Sequence, residues 1–340
     1  MVHRERAMPD SAAAGELGLV AELGEEHTEE DGQVDVHAAR VSSVPPGGRG
    51  VTRRLIVALI VVVWALVRPA GADTVPLLVD TAWLAAHLGD RNLRIVDMVS
   101  ERRDYRRGHL PGAVYLNVDD ARIKVAAGGY RLPTQAEGER LVSDLGIGAD
   151  THVVIYDDTE GLDAARFFFT LDVIGHRATS ILDGGIQAWR RAKLPLTTEV
   201  PNVARTDYRP DREPQRVAGA EWVRDRLNDP TLALVDTRSG AEYAGKDVRA
   251  RRGGHIPGAV NIEWRQNLRS DGSFKSMDEL RALYAAQGIT PDKTVVTYCQ
   301  THHRAAHTYF VLRLLGYPRL VGYDRSWSEW GNRDDLPLAR

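Results

Sequence analysis

Among 340 residues there is one cysteine, Cys299. A lone thiol closes no internal disulfide, so the fold must rest on hydrophobic cores, and a metal centre built on several thiolates is excluded. A basic surplus is missing too: 44 Lys and Arg stand against 47 Asp and Glu. Nucleic-acid binding needs a cationic surface that displaces counterions, and none is expected. Long apolar runs are also absent. The longest, Leu55–Val67, has thirteen residues and spans about 20 Å as a helix, short of the roughly 30 Å hydrocarbon core of a bilayer. His303 and His307 have His-x-x-x-His spacing, but no glutamate follows His303 and no third ligand stands nearby. No metal and no cofactor is therefore expected.

The length points to two domains at roughly 100–200 residues each, and 43% hydrophobic with 27% charged residues is the balance of a soluble globular protein. Residues 1–50 differ, with ten acidic residues against four arginines and a Pro45-Pro46-Gly47-Gly48 ending. That composition reads as a disordered acidic tail. Within residues 51–72, Arg53-Arg54, the apolar run and Ala70-Gly71-Ala72 supply the parts of a secretory signal peptide. The expectation is an exported protein, periplasmic or extracellular, maturing near Asp73 with 37 basic and 37 acidic residues left. An uncleaved, tilted anchor is the alternative, the only membrane contact expected, and it also puts the folded part outside the inner membrane. The 52 residues ahead of Arg53 leave a translation start nearer Val51 as a further alternative.

Internal repetition organises the rest. Arg94-Ile95-Val96-Asp97, Tyr105 and Gly108-His109-Leu110-Pro111-Gly112-Ala113-Val114 return as Ala233-Leu234-Val235-Asp236, Tyr243 and Gly254-His255-Ile256-Pro257-Gly258-Ala259-Val260. Further on, Val153-Val154-Ile155-Tyr156 and Trp189 return as Val295-Val296-Thr297-Tyr298 and Trp330. In each copy short β-branched runs alternate with helical patterns such as Glu137–Leu145, Ala164–Ile174, Met277–Gln287 and Ala305–Leu315. The fold class expected is α/β, two tandem domains, each a parallel sheet covered by helices on both faces. Their limits are set at 75–199 and 217–340, with 200–216, rich in Pro201, Pro210 and Pro214, as linker.

Cys299 ends a strand-like run, and a helical pattern begins a few residues later. Loop amides and the positive end of a helix dipole meet at such a junction and favour a thiolate. A small apolar core residue is the competing reading of a lone cysteine on a strand. Against it stand the five polar residues that follow, Gln300-Thr301-His302-His303-Arg304.

Cys299–Arg304 resembles the six-residue active-site loop of rhodanese-type sulfurtransferases, in the Cys-Gln-Thr-His-His-Arg form of bacterial tandem-domain members. The two Gly-His-x-Pro-Gly-Ala motifs and Gly322-Tyr323-Asp324-x-Ser326-Trp327-x-Glu329-Trp330-Gly331 are similar to that family as well. The resemblance implies a Cys299 persulfide that carries sulfur from thiosulfate to cyanide or a thiol, with Gln300 to Arg304 as the donor-binding loop and Arg238 as structural support. It also implies a silent first domain, where Asp157 stands at the position of Cys299 and Gln187 replaces an arginine of other members. His302, His303 and Arg304 are expected to attract the donor dianion, so donor affinity weakens from about pH 6 to 8 as histidines of ordinary pKa lose charge. The same cations favour thiosulfate over 3-mercaptopyruvate, whose enzymes have a loop of small residues.

Two rival classes remain. A Cys-x5-Arg loop would mark a phosphatase or arsenate reductase, but the seventh residue here is Ala305 and Arg304 comes one position early. A low-pKa thiol can also serve a non-turnover sulfur carrier or redox sensor.

Overall fold

The computed structural model describes residues 75–126 and 128–340. The acidic tail and the 51–72 segment lie outside the described residues. Among those described, no helix is long and apolar enough to cross a membrane.

The first domain runs β1 (Leu78–Val79), α1 (Thr81–His87), β2 (Leu93–Asp97), α2 (Arg102–Arg107), β3 (Val114–Tyr115), a hairpin of β4 (Ile123–Lys124) and β5 (Tyr130–Arg131), α3 (Gln135–Asp144), β6 (His152–Tyr156), α4 (Leu162–Ile174), β7 (Thr179–Leu182) and α5 (Gly185–Arg191). The second runs β8 (Val217–Ala218), α6 (Ala220–Arg224), β9 (Leu232–Asp236), α7 (Gly240–Tyr243), β10 (Val260–Asn261), α8 (Met277–Ala285), β11 (Thr294–Tyr298), α9 (His303–Leu314), β12 (Leu320–Tyr323) and α10 (Ser326–Trp330). The strand orders are β1-β7-β6-β2-β3 and β8-β12-β11-β9-β10. All pairings within these two sheets are parallel, so the two copies have one topology. The central strands read as β-branched runs because helices cover both faces and every side chain after the first residue of each is buried. Capping boxes at Thr134/Glu137, Ser239/Glu242 and Ser276/Glu279 fix where three helices begin.

α4 and α9 pack against each other and join the domains. Phe168 meets Phe310 edge-on at 4.9 Å and Phe169 meets Tyr309 at 4.8 Å. One cluster of buried side chains contains residues of both domains. Two polar ties cross the same face: Arg166 Nη1 to Asp324 Oδ1 at 2.8 Å, and Tyr309 Oη to Asp172 Oδ2 at 2.7 Å.

Residues 201–213 have no regular structure yet are tied along the first domain. Thr206 Oγ1 donates to Ile147 O, Gln135 Nε2 to Pro210 O, Arg212 to Pro133 O, and Glu213 N to Val173 O. Gly175, at φ +100°, lies under this strap, and a Cβ there would run into the Asp211 carbonyl.

Candidate active site

Cys299 follows β11, which pairs with β9 on one side and β12 on the other, so the sulfur sits at the carboxyl end of a central parallel strand. The start of α9 lies just beyond, with His302 as N-cap in the left-handed region at φ +55°. Open α/β sheets place ligands at this edge, where strand ends meet helix N-termini.

The loop is held by the first turn of α10. Ser326 Oγ accepts from the Cys299 amide at 3.2 Å and the His302 amide at 3.0 Å, and donates to Tyr323 O. The Trp327 and Ser328 amides donate to the Cys299 and Gln300 carbonyls. Ser326 takes φ +50°, a conformation that costs a side chain on the order of 1–3 kcal/mol. Its counterpart in the first copy is Gly185 at φ +53°. What the serine adds over that glycine is the hydroxyl that makes these bonds. Sequence reasoning passed over this residue; its signal was that Ser/Gly difference between the copies.

The loop side chains have separate surroundings. Gln300 Nε2 donates to the Arg249 carbonyl at 3.0 Å. Thr301 lies beside Gly129 in the β4–β5 hairpin of the first domain. Arg304 grips Glu242 with two bonds of 2.6 and 2.8 Å. Burial opposes the charge on Arg304, but the bond to Glu242 and that residue's negative charge outweigh it and hold its pKa above the usual arginine value. Glu242 is buried too, yet Arg304 brings its carboxyl down to about 2. Glu242, at the third turn position of a capping box, is the second residue that sequence reasoning missed.

Two expectations need correction. His302 is fully buried under the loop against Phe169, its Nε2 3.2 Å from Thr297 Oγ1. Burial first, and then the nearby Arg166 charge, push its pKa well below the ordinary histidine value. His303 lies between Asp163 Oδ1 at 2.6 Å and Arg122 Nη1 at 3.2 Å. A guanidinium only donates, so His303 Nδ1 accepts and Nε2–H points to Asp163. Burial lowers its pKa, and Asp163 only partly opposes this. Burial favours the neutral form of both imidazoles, which argues against their serving as the cations that attract a donor; Arg304 is already paired.

Arg238 is buried on Asp236, reaches the Gly254 carbonyl at 2.7 Å and lies 4.5 Å over Trp327. That is a supporting position. His307 is buried between Trp264 and Phe274. Among the described residues, no group of three His, Cys, Asp or Glu side chains could hold a metal.

The corresponding loop of the first copy holds a carboxylate. Asp157 follows β6 as Cys299 follows β11, and its carboxylate accepts from the amides of Thr159, Gly161, Asp163 and Ala164 at 2.9–3.2 Å and from Thr159 Oγ1. A strand end and a helix start converge four N–H groups on one buried anion. Burial nevertheless raises the Asp157 pKa to about 6. Val99 stands where the second copy has Arg238, leaving Asp97 with the Tyr156 hydroxyl in place of a guanidinium. Burial takes Asp97 to about 6 as well. Gln187 and Arg191 line a cleft beside Asp157, Asp158 and Glu160 that contains no residue of the Cys299 loop.

The rhodanese-like domain model matches this chain twice, over residues 80–192 and 219–333. Thiosulfate sulfurtransferase of Pseudomonas aeruginosa is 39% identical over 263 residues, covering 77% of this chain and 97% of the relative. The sulfur carrier protein TtuD of Thermus thermophilus is 39% identical over 282 residues, covering 78% and 96%. The crystal structure of a 3-mercaptopyruvate sulfotransferase from Escherichia coli superposes with a TM-score of 0.66 at 27% identity, covering 75% of this chain and all of that one. With two copies of one parallel sheet, a cysteine at the end of the second central strand and these matches across both, the chain belongs to the rhodanese family.

Proposed function

We propose that the protein is a thiosulfate sulfurtransferase that works through a Cys299 persulfide. One observation carries the reading: the first copy cradles a carboxylate at the position that Cys299 occupies in the second, so the loop design receives an anion on that residue. The Cys299 thiolate attacks the outer sulfur of thiosulfate; the S–S bond of the donor breaks and its electron pair leaves with sulfite. Cyanide or a thiolate then takes the outer sulfur, and the pair of the persulfide bond returns to Cys299. Loop amides and the α9 N-terminus stabilise the sulfur anion in both halves.

Thiosulfate is preferred to 3-mercaptopyruvate because this loop lacks the small residues of mercaptopyruvate enzymes and because relatives at 39% identity are named for thiosulfate or sulfur carriage. Export with maturation near Asp73 belongs to the same reading, supported by Arg53-Arg54, the short apolar run and Ala70-Gly71-Ala72. Intact mass of the native protein tests these parts together. It is expected to start near Asp73 and gain one sulfur atom from thiosulfate, whereas Cys299→Ser gains none while remaining folded. Sulfur uptake by the serine variant overturns the persulfide, a higher kcat/KM for mercaptopyruvate overturns the donor, and a full-length chain in the cytoplasm overturns export.

A further inference from the structure

Both copies close one hydrogen bond onto the histidine of the Gly-His-x-Pro-Gly turn. His109 Nδ1 meets Tyr105 O across four residues at 2.8 Å, and His255 Nδ1 meets Tyr243 O across twelve at 3.0 Å. The rings stack alike, 3.8 and 3.6 Å apart. The frame is the same, and only the cysteine-bearing copy contains eight extra residues within it. They include Lys246, Arg249, Arg251 and Arg252 against a single acid, Asp247.

This insertion is built. The Lys246 and Asp247 amides donate to Ala241 O, the Arg251 amide to Asn332 Oδ1 and the Arg252 amide to Gly331 O. Gln300 of the cysteine loop holds the Arg249 carbonyl, and Trp327 Nε1 donates to Arg252 O. Arg252 turns back onto the Leu336 and Trp330 carbonyls, while Val248 is 52% exposed and the side chains of Arg249 and Arg251 are 53% and 57% exposed. Val248 is one of three large hydrophobic residues exposed among those described. Arg249 and Arg251 pair with Asp247 and Asp334 at the surface, where such exposed pairs are weak, and Arg249 also lies 3.7 Å from the buried Glu242. Incoming carboxylates can therefore exchange for them.

We infer that the insertion at 246–252 is the docking surface for a protein sulfur acceptor whose accepting thiol is set among carboxylates. The inference rests on the persulfide reading above. The acceptor thiolate attacks the outer sulfur of Cys299, the persulfide S–S bond breaks, its electron pair returns to Cys299, and the acceptor departs as the persulfide. A cationic surface next to the cysteine loop, with an exposed Val248, raises the encounter rate with an acidic surface.

The test uses enzyme loaded with thiosulfate and two short cysteine peptides, one flanked by glutamates and one by glutamines. Transfer to the acidic peptide is expected to be roughly tenfold faster at low ionic strength and to lose that advantage at about 0.5 M salt. The combined variant Lys246→Gln, Arg251→Gln, which leaves Arg249 beside Glu242 in place, is expected to remove most of the preference while keeping transfer to the neutral peptide and thiosulfate loading within about twofold. Equal rates for the two peptides in the wild type overturn the inference. So does a loading defect as large as the acceptor defect, which would assign the loop to the donor, or an equal gain with glutathione, which would make a small molecule sufficient. If the wild type takes no sulfur from thiosulfate, the reading of function fails instead, and loading with polysulfide keeps the peptide comparison readable.

Discussion

His302 and His303 are neighbours in sequence with opposite duties: one fills the space beneath the cysteine loop, the other ties the loop to Asp163 and Arg122 of the first domain. Burial lowers both pKa values, so raising the pH from 7 to 8 removes little positive charge from either imidazole. The KM for thiosulfate is therefore expected to stay flat over that range, measured with a thiol acceptor whose ionisation is corrected for. A KM that rises severalfold would restore the histidines as donor cations. Asp157 gives a second prediction. Asp157→Ala leaves four inward amides without an acceptor, and unsatisfied buried groups cost about 1–3 kcal/mol each before relaxation. A loss of at least about 2 kcal/mol in denaturant melts is expected, with sulfur transfer per folded molecule unchanged. Its folded pKa of about 6 lies above the ordinary carboxyl value, so the stability it contributes is greatest in acid and is lost as pH rises through about 6. The penalty for alanine should accordingly be larger at pH 5 than at pH 7.

The loop between β11 and α9 works as one element because Ser326 holds two of its amides from the neighbouring turn. Ser326→Ala keeps the strained φ and removes that acceptor. Single-turnover loading is expected to slow by an order of magnitude or more as the loop shifts, with about 1–3 kcal/mol of stability lost. Ser326→Gly relieves the backbone and should recover stability without recovering rate. The strands and long helices were legible in the sequence because each run appears twice in the same order, and the cysteine loop was legible because its polar run breaks the pattern of a buried strand. The orientation of its side chains was not. The burial of His302 depends on Phe169 of the first domain, and Glu242 reads as an ordinary helix-capping acid until Arg304 is beside it. The β4–β5 hairpin has two-residue strands, and its counterpart in the second copy shrinks to a single Leu268–Phe274 bridge, so no periodicity announced it.

Across the whole molecule, α4 and α9 bury one core between two sheets, which couples the domains more tightly than a linker would. A single calorimetric transition is expected. Phe310→Ala, which empties the aromatic contact with Phe168 and Phe274, should lower that transition by the equivalent of about 3–5 kcal/mol without splitting it in two. Two separate transitions would show that the domains melt independently. The strap of residues 201–213 belongs to this scale as well. A stretch of thirteen residues without helix or strand ordinarily offers a protease its cleavage site, because the chain must open locally to enter the enzyme's cleft. Here opening means giving up the bonds to Ile147, Pro133 and Val173 and lifting Asp211 off Gly175. Trypsin, despite Arg205, Arg209 and Arg212 along the strap, should therefore leave the native protein's two halves joined, and neither half could be obtained by digestion as a working enzyme.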